Sequence, residues 1–148
     1  MAENGSGAFT LVEILIVVMI LGILAAVVVP QFTEASDDAR LSALTSDLST
    51  VRGQLQMYRI HHNDLFPTDI VGQLTGRTKN DGTVMPDGGD AAQFPYGPYL
   101  QQFPTNPFVE GAAAGEVDTV TPGGGNKGWY YKSATGQFIA DDDDHAGL

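Results

Sequence analysis

The chain has no cysteine, which excludes both disulfide staples and thiolate metal sites. Basic residues are scarce, seven Lys and Arg against eighteen Asp and Glu, giving a net charge of -11. Such a chain cannot neutralise a run of phosphates, so nucleic acid is not an expected partner. There is no G-x-S-x-G, P-loop or dinucleotide fingerprint, and Gly123-Gly124-Gly125 lacks the strand-to-helix setting of a phosphate cradle. No paired acid and base or nucleophile constellation is present, so an enzyme is not expected. Charge is also missing from Ile14 to Val29, and that absence leads to what the chain does contain.

Residues 7–32 read GAFTLVEILIVVMILGILAAVVVPQF, with one carboxylate, Glu13, at the edge of the apolar run. A carboxylate beside hydrocarbon is costly and calls for a partner or a task. A secretory signal peptide would need a basic n-region and a small-residue cleavage site. The leader MAENGSGA has neither Lys nor Arg, and the run ends in Val-Val-Val-Pro. A plain transmembrane anchor fits the length, since Phe9 to Val29 reaches the ~20 residues that cross a bilayer as a helix. An anchor alone gives Glu13 no task beyond snorkelling to the interface.

Beyond Phe32, Leu41, Leu44, Leu48, Val51, Leu55 and Tyr58 step by three and four and form one apolar stripe. Asp37, Asp38, Asp47, Arg52 and Arg59 lie mainly off it. Joined to the apolar run this predicts a helix of about fifty residues, stopped by Asn63, Asp64 and Pro67. Pro30 removes one backbone donor and is expected to kink or melt the helix there. Gly22 and the Ala25–Ala26 pair are small enough for close helix approach. Asp69 to Leu74 reads as a short helix, and Thr75 to Ala92 as a solvated loop. Val117 to Val120 reads as a short strand. Residues 128–132 and 137–140 flank a turn containing Gly136 and read as a hairpin. Trp129, Tyr131, Phe138 and one face of the Val117 strand would pack on the helix as a small antiparallel sheet, too small to stand alone.

GAFTLVE followed by an apolar helix resembles the leader and first helix of type IV pilins and of the pseudopilins of type II secretion. Gly97-Pro98-Tyr99-Leu100 and Phe103-Pro104-Thr105-Asn106-Pro107-Phe108 are similar to the G-P-Y-L…P-x-x-P/D-P-W/F segment of major pseudopilins. Tyr99, Leu100, Phe103 and Phe108 would there cover the long helix. The resemblance implies an α+β pilin-like fold. Its parts are a leader over residues 1–8, a transmembrane and filament-core helix over 9–30, and an amphipathic helix over 31–62. A loop-rich part with a small sheet follows over 63–140, then an acidic tail over 141–148.

The resemblance further implies cleavage by a prepilin peptidase between Ala8 and Phe9 and methylation of the new amine on Phe9. Glu13 becomes the fifth residue of that mature chain. Ala8 stands where the family usually has Gly, and the leader lacks the usual basic residue. In the family the fifth-residue Glu is thought to pair with the N-terminal amine of a neighbour during assembly. Glu13, Gly22 and Pro30 are therefore the assembly residues. The implied product is a homo-oligomeric filament fed from a single-pass inner-membrane pool, with the globular part in the periplasm. Minor pseudopilins and an assembly platform are the further implied partners. A pilus for adhesion, motility or DNA uptake is the nearest alternative, and a single-span periplasmic binding protein is an alternative of another class.

Asp141 to Asp144 are four consecutive carboxylates. Such a run is most often solvated, but major pseudopilins bind Ca²⁺ through C-terminal Asp side chains. Asp141 and Asp143, alternating along the chain, are the candidate pair, and Ca²⁺ is the one cofactor the resemblance implies. His61, His62 and His145 lack metal-ligand spacing and are expected at a surface or helix end.

Overall fold

The computed structural model describes residues 10–148, apart from the side chains of residues 29–34. The leader, Ala8 and Phe9 lie outside the described residues. The chain divides into two compact units, residues 1–39 and 40–148. Helix α1, Leu11–His61, runs from the first into the second.

In the first unit α1 is helical throughout, including at Pro30, so of the expected kink or melting the melting does not occur. Proline deletes one rung of the hydrogen-bond ladder, and the rungs on either side suffice to carry the helix through. Leu11–Val28 is long and apolar enough to cross a membrane. Its large side chains are exposed, from Val28 at 43% to Leu11 at 82%.

The second unit is built on the apolar stripe. Leu44, Leu48, Val51, Leu55 and Tyr58 are buried and form one core with Ile70, Leu74, Phe103, Trp129, Tyr131, Phe138 and Ala140. Complete burial of an aliphatic side chain such as Leu48 contributes ~1.5–3 kcal/mol. Leu41, at the start of the stripe, remains 40% exposed. Tyr99, Leu100, Phe108 and Val117 pack against the core partly buried.

The long helix closes on two left-handed residues, Asn63 (φ 54°) and Asp64 (φ 62°). Asn and Asp tolerate that conformation better than other side-chain-bearing residues. The Asp64 N–H donates to Arg59 O at 3.0 Å, and Asn80 Nδ2 donates to His61 O at 2.6 Å, so the last carbonyls are satisfied. Helix α2, Ile70–Thr75, starts at Asp69, whose carboxylate accepts from Gly72 N. The Leu74 carbonyl then accepts from both Tyr99 N (2.8 Å) and Leu100 N (2.9 Å), tying the GPYL segment to α2. Between them, Thr78 forms single antiparallel bridges to Val84 and Tyr96, so the expected loop is pinned at its middle.

Strands β1 (Val117–Asp118), β2 (Trp129–Lys132) and β3 (Gln137–Ala140) form one sheet in that order. The hairpin is as expected, with Trp129 opposite Ala140 and Tyr131 opposite Phe138. The sheet is nevertheless mixed and not wholly antiparallel, because β1 pairs parallel to β2 through Val117↔Trp129 and Asp118↔Tyr130. The ten residues 119–128 are long enough to return the chain to the same end of the sheet.

Candidate functional site

Two regions carry the sequence-predicted site residues. At the start of α1, Thr10 accepts hydrogen bonds from the Glu13 N–H through both its carbonyl oxygen (3.1 Å) and its hydroxyl oxygen (3.2 Å). Thr10 is thus the helix N-cap, and Thr10-Leu11-Val12-Glu13 has the spacing of a capping box. A carboxylate in the first helical turn also meets the positive end of the helix dipole. Glu13 is exposed beside an unburied apolar surface. Thr10 is not among the residues singled out from sequence, although its T-x-x-E spacing marks it. Gly22 lies mid-helix, and a Cβ there would meet no atom within 4 Å. Among the described residues nothing requires a small residue at 22. Pro30 lies within the helical backbone of α1.

The second region is the acidic end. The solvated-tail expectation does not hold for its first two members, because Asp141 is 0% and Asp142 9% exposed. Asp141 continues the line of β3: its N–H donates to Gly128 O (3.1 Å) and its carbonyl accepts from Gly125 N (2.8 Å). Its Oδ1 accepts from Gly123 N (2.7 Å) and Gly124 N (3.2 Å). Its Oδ2 is buried and has no hydrogen-bond partner. A buried oxygen left unpaired is costly. A Cβ placed on Gly124 would lie 3.9 Å from that oxygen, and one on Gly125 3.1 Å from Asp143 Oδ1. The Gly123–Gly125 turn thus brings the predicted pair, Asp141 and Asp143, onto one loop.

Asp142 turns elsewhere. Its Oδ2 accepts from Asn106 Nδ2 at 2.8 Å, and its Oδ1 accepts from His145 N at 3.0 Å and pairs with His145 Nδ1. Burial pushes the Asp142 carboxyl up, but the bonds from Asn106 and His145 outweigh it and hold the group below the usual carboxylate range. The His145 ring stacks on Phe108 with centroids 4.1 Å apart. Beside them an open recess of about 370 Å³ is lined by Phe108, Glu110, Gly125 and the Asp142–His145 stretch. Among the described residues no group of three or more His, Cys, Asp or Glu side chains is arranged to hold a metal by itself.

The other histidines sit at the end of α1. His61 Nδ1 lies 2.8 Å from Tyr99 Oη. His62, expected at a surface or helix end, directly follows the end of α1 but is 1% exposed, and it stacks on Tyr58 at 3.7 Å. Its Nδ1 donates to the Tyr58 carbonyl (2.7 Å), which leaves Nε2 to accept from the Thr78 hydroxyl (2.9 Å). The ring is therefore a structural tie between α1 and the bridged loop.

A helix with an exposed apolar half and a half packed on a small sheet, opening on a capped Thr-x-x-Glu turn, defines the pilin-like class. Residues 4–29 match the prokaryotic N-terminal methylation motif. The type II secretion system core protein G of Klebsiella michiganensis is 32% identical over 123 residues, covering 83% of this chain and 79% of that protein. The Pseudomonas aeruginosa protein of the same name is 32% identical over 108 residues, 73% of this chain and 72% of the relative. That of Vibrio cholerae is 29% identical over 121 residues, 78% of each. No solved structure matches the chain. The chain belongs to the type II secretion system core protein G family.

Proposed function

We propose that the chain is the repeating structural subunit of the pseudopilus of a type II secretion system, and not an enzyme. In this role it waits as a single-pass inner-membrane protein with its second unit in the periplasm. It assembles there into a filament that drives folded proteins through the outer membrane. One observation carries the reading. Leu11–Val28 forms a helix whose large apolar side chains are exposed among the described residues, and it lies inside the N-terminal methylation motif with Glu13 in its first turn. Lipid covers such a surface before assembly and neighbouring copies cover it afterwards. Exchange between two apolar settings has a small net hydrophobic term, so an assembly platform can drive the step. The names of the relatives favour secretion over an adhesive or DNA-uptake pilus.

Glu13 supplies what hydrocarbon cannot, a fixed register. Prepilin peptidase cleaves Ala8–Phe9 and methylates the amine of Phe9, which stays cationic. Two unit charges 4 Å apart attract by ~4 kcal/mol at an effective dielectric of ~20, enough to select one stagger of helices over others. Glu13→Ala should insert in the membrane at the parental level yet yield few or no filaments in a shearing and electron-microscopy assay. Parental filament yield from that variant would refute the register role.

We also infer that the acidic end holds Ca²⁺. The support is the buried, unpartnered Asp141 Oδ2, with Asp143 beside it on the Gly123–Gly125 turn. Two carboxylates suit a hard cation, which takes its remaining oxygens from backbone carbonyls and water. The ion would neutralise the buried charge and clamp the glycine turn to the end of β3. Ligand at a hundredfold excess over Kd stabilises a fold by ~2.7 kcal/mol. Calcium should therefore raise the thermal midpoint of the parent by several degrees and leave that of Asp141→Asn unchanged. An equal response from both would contradict the assignment.

A further inference from the structure

Three of the four aspartates are divided between two sets of partners. Asp141 and Asp143 meet the Gly123–Gly125 turn, whereas Asp142 meets Asn106 and His145. The chain leaves β3 at Ala140, bends at Asp142 and turns at Asp143, so holding the residue at the bend restrains the direction of its neighbours. Asn106 is placed to do this. It is 1% exposed and its side-chain bonding is filled. Nδ2 donates to Gly128 O (2.9 Å) and to Asp142 Oδ2 (2.8 Å), and Oδ1 accepts from Phe108 N (2.9 Å). The amide can make these three bonds in one orientation only. The Gly128 carbonyl it holds also accepts from Asp141 N, so Asn106 bonds both Asp142 and the carbonyl that anchors the Asp141 backbone.

We propose that Asn106, with His145, is a positioning residue for the cation: by engaging the Asp142 carboxylate and fixing the bend there, it presents Asp141 and Asp143 to the ion. The inference rests on the Ca²⁺ reading above. It assigns Asp142 no bond to the ion, although Asp142 lies between the two ligands. Neither Asn106 nor His145 need touch the cation, and outer-shell partners of this kind are commonly worth ~10–100-fold in metal affinity.

Calorimetric titration of Ca²⁺ into the full chain in detergent micelles at pH 8 tests this, with thermal unfolding in EDTA run in parallel. Asn106→Ala leaves every carboxylate in place, so charge is constant. It should weaken Ca²⁺ binding by roughly tenfold or more at a temperature where the EDTA melt shows it folded. His145→Ala removes one donor from Asp142 at a half-buried position and should weaken binding by a smaller factor. It also serves if Asn106→Ala does not fold. A merely structural role would lower the melting temperature in EDTA and leave affinity at the parental value. If the parent binds Ca²⁺, Asp141→Asn does not, and the folded Asn106 and His145 variants bind like the parent, the positioning role is overturned and the ion site stands. If the parent itself takes up no Ca²⁺, the ion site and the positioning role fall together.

Discussion

Glycine at 128 is demanded by a close approach of two backbone segments. A Cβ there would overlap the Ala114 carbonyl, and Gly128 N itself donates to Ala113 O at 2.8 Å. The obstacle is main chain, which cannot swing away as a flexible side chain can. Gly128→Ala should therefore separate the Gly111–Gly115 turn from β2 and cost ~1–3 kcal/mol or more, in the range of overpacked cores. Chemical denaturation of parent and variant measures it, and equal midpoints would contradict the packing. Other single residues differ in how plainly the sequence marks them. Glu13 stands out because charge is absent around it, and its spacing from Phe9 suggests the register role proposed for it. Asn106 does not stand out, since an asparagine between prolines reads as a turn residue. Its meaning comes from Gly128 and Asp142, which lie 22 and 36 residues further on. The unpaired oxygen of Asp141 is likewise invisible in a run of four identical side chains.

At the scale of elements, periodicity carries the most. The 3–4 stripe of α1 and the aromatic hairpin are both visible in sequence, because each side chain's partners recur at a fixed interval. The parallel pairing of β1 is not visible, since two residues carry no period. The burial of His62 is hidden for a related reason: it depends on Thr78, which a Gly- and Asp-rich stretch conceals. The packing of these elements on α1 has a consequence at high pH. Burial, with the Asp81 charge adding to it, pushes Tyr58 up to about 12. Burial, with Tyr58 beside it, pushes Tyr99 up to about 12, and Tyr131, whose hydroxyl donates to Pro67 O, is raised as well. A tyrosine whose folded pKa exceeds its unfolded value of ~10 favours the fold while neutral. That stabilisation is whole below pH ~10 and is lost as the pH climbs through 12. In the folded chain part of the tyrosinate absorbance near 295 nm should thus appear late and together with unfolding. In urea all five tyrosines should ionise near pH ~10. Complete ionisation near that pH with the fold intact would contradict the burial of these rings.

On the scale of the whole molecule, the two units answer to different surroundings. Every residue of the hydrophobic core lies in the second unit, from Leu44 to Ala140. The first exposes the apolar surface of Leu11–Val28. This split is legible in sequence, because an uncharged run followed by an amphipathic stripe describes two environments along one helix. What composition alone leaves open is whether the first surrounding is lipid throughout or lipid exchanged for other copies of the chain. The methylation motif and the core protein G relatives decide for the family. The pairing proposed for Glu13 depends on an amine that arises only by cleavage. The most direct measurement is therefore mass spectrometry of the N-terminus, on chain taken from cells with active prepilin peptidase. A mature chain beginning at N-methylated Phe9 is the predicted result, with Glu13 as its fifth residue. A chain still beginning at Met1 in those cells would contradict the account, because Glu13 would then have no amine to meet.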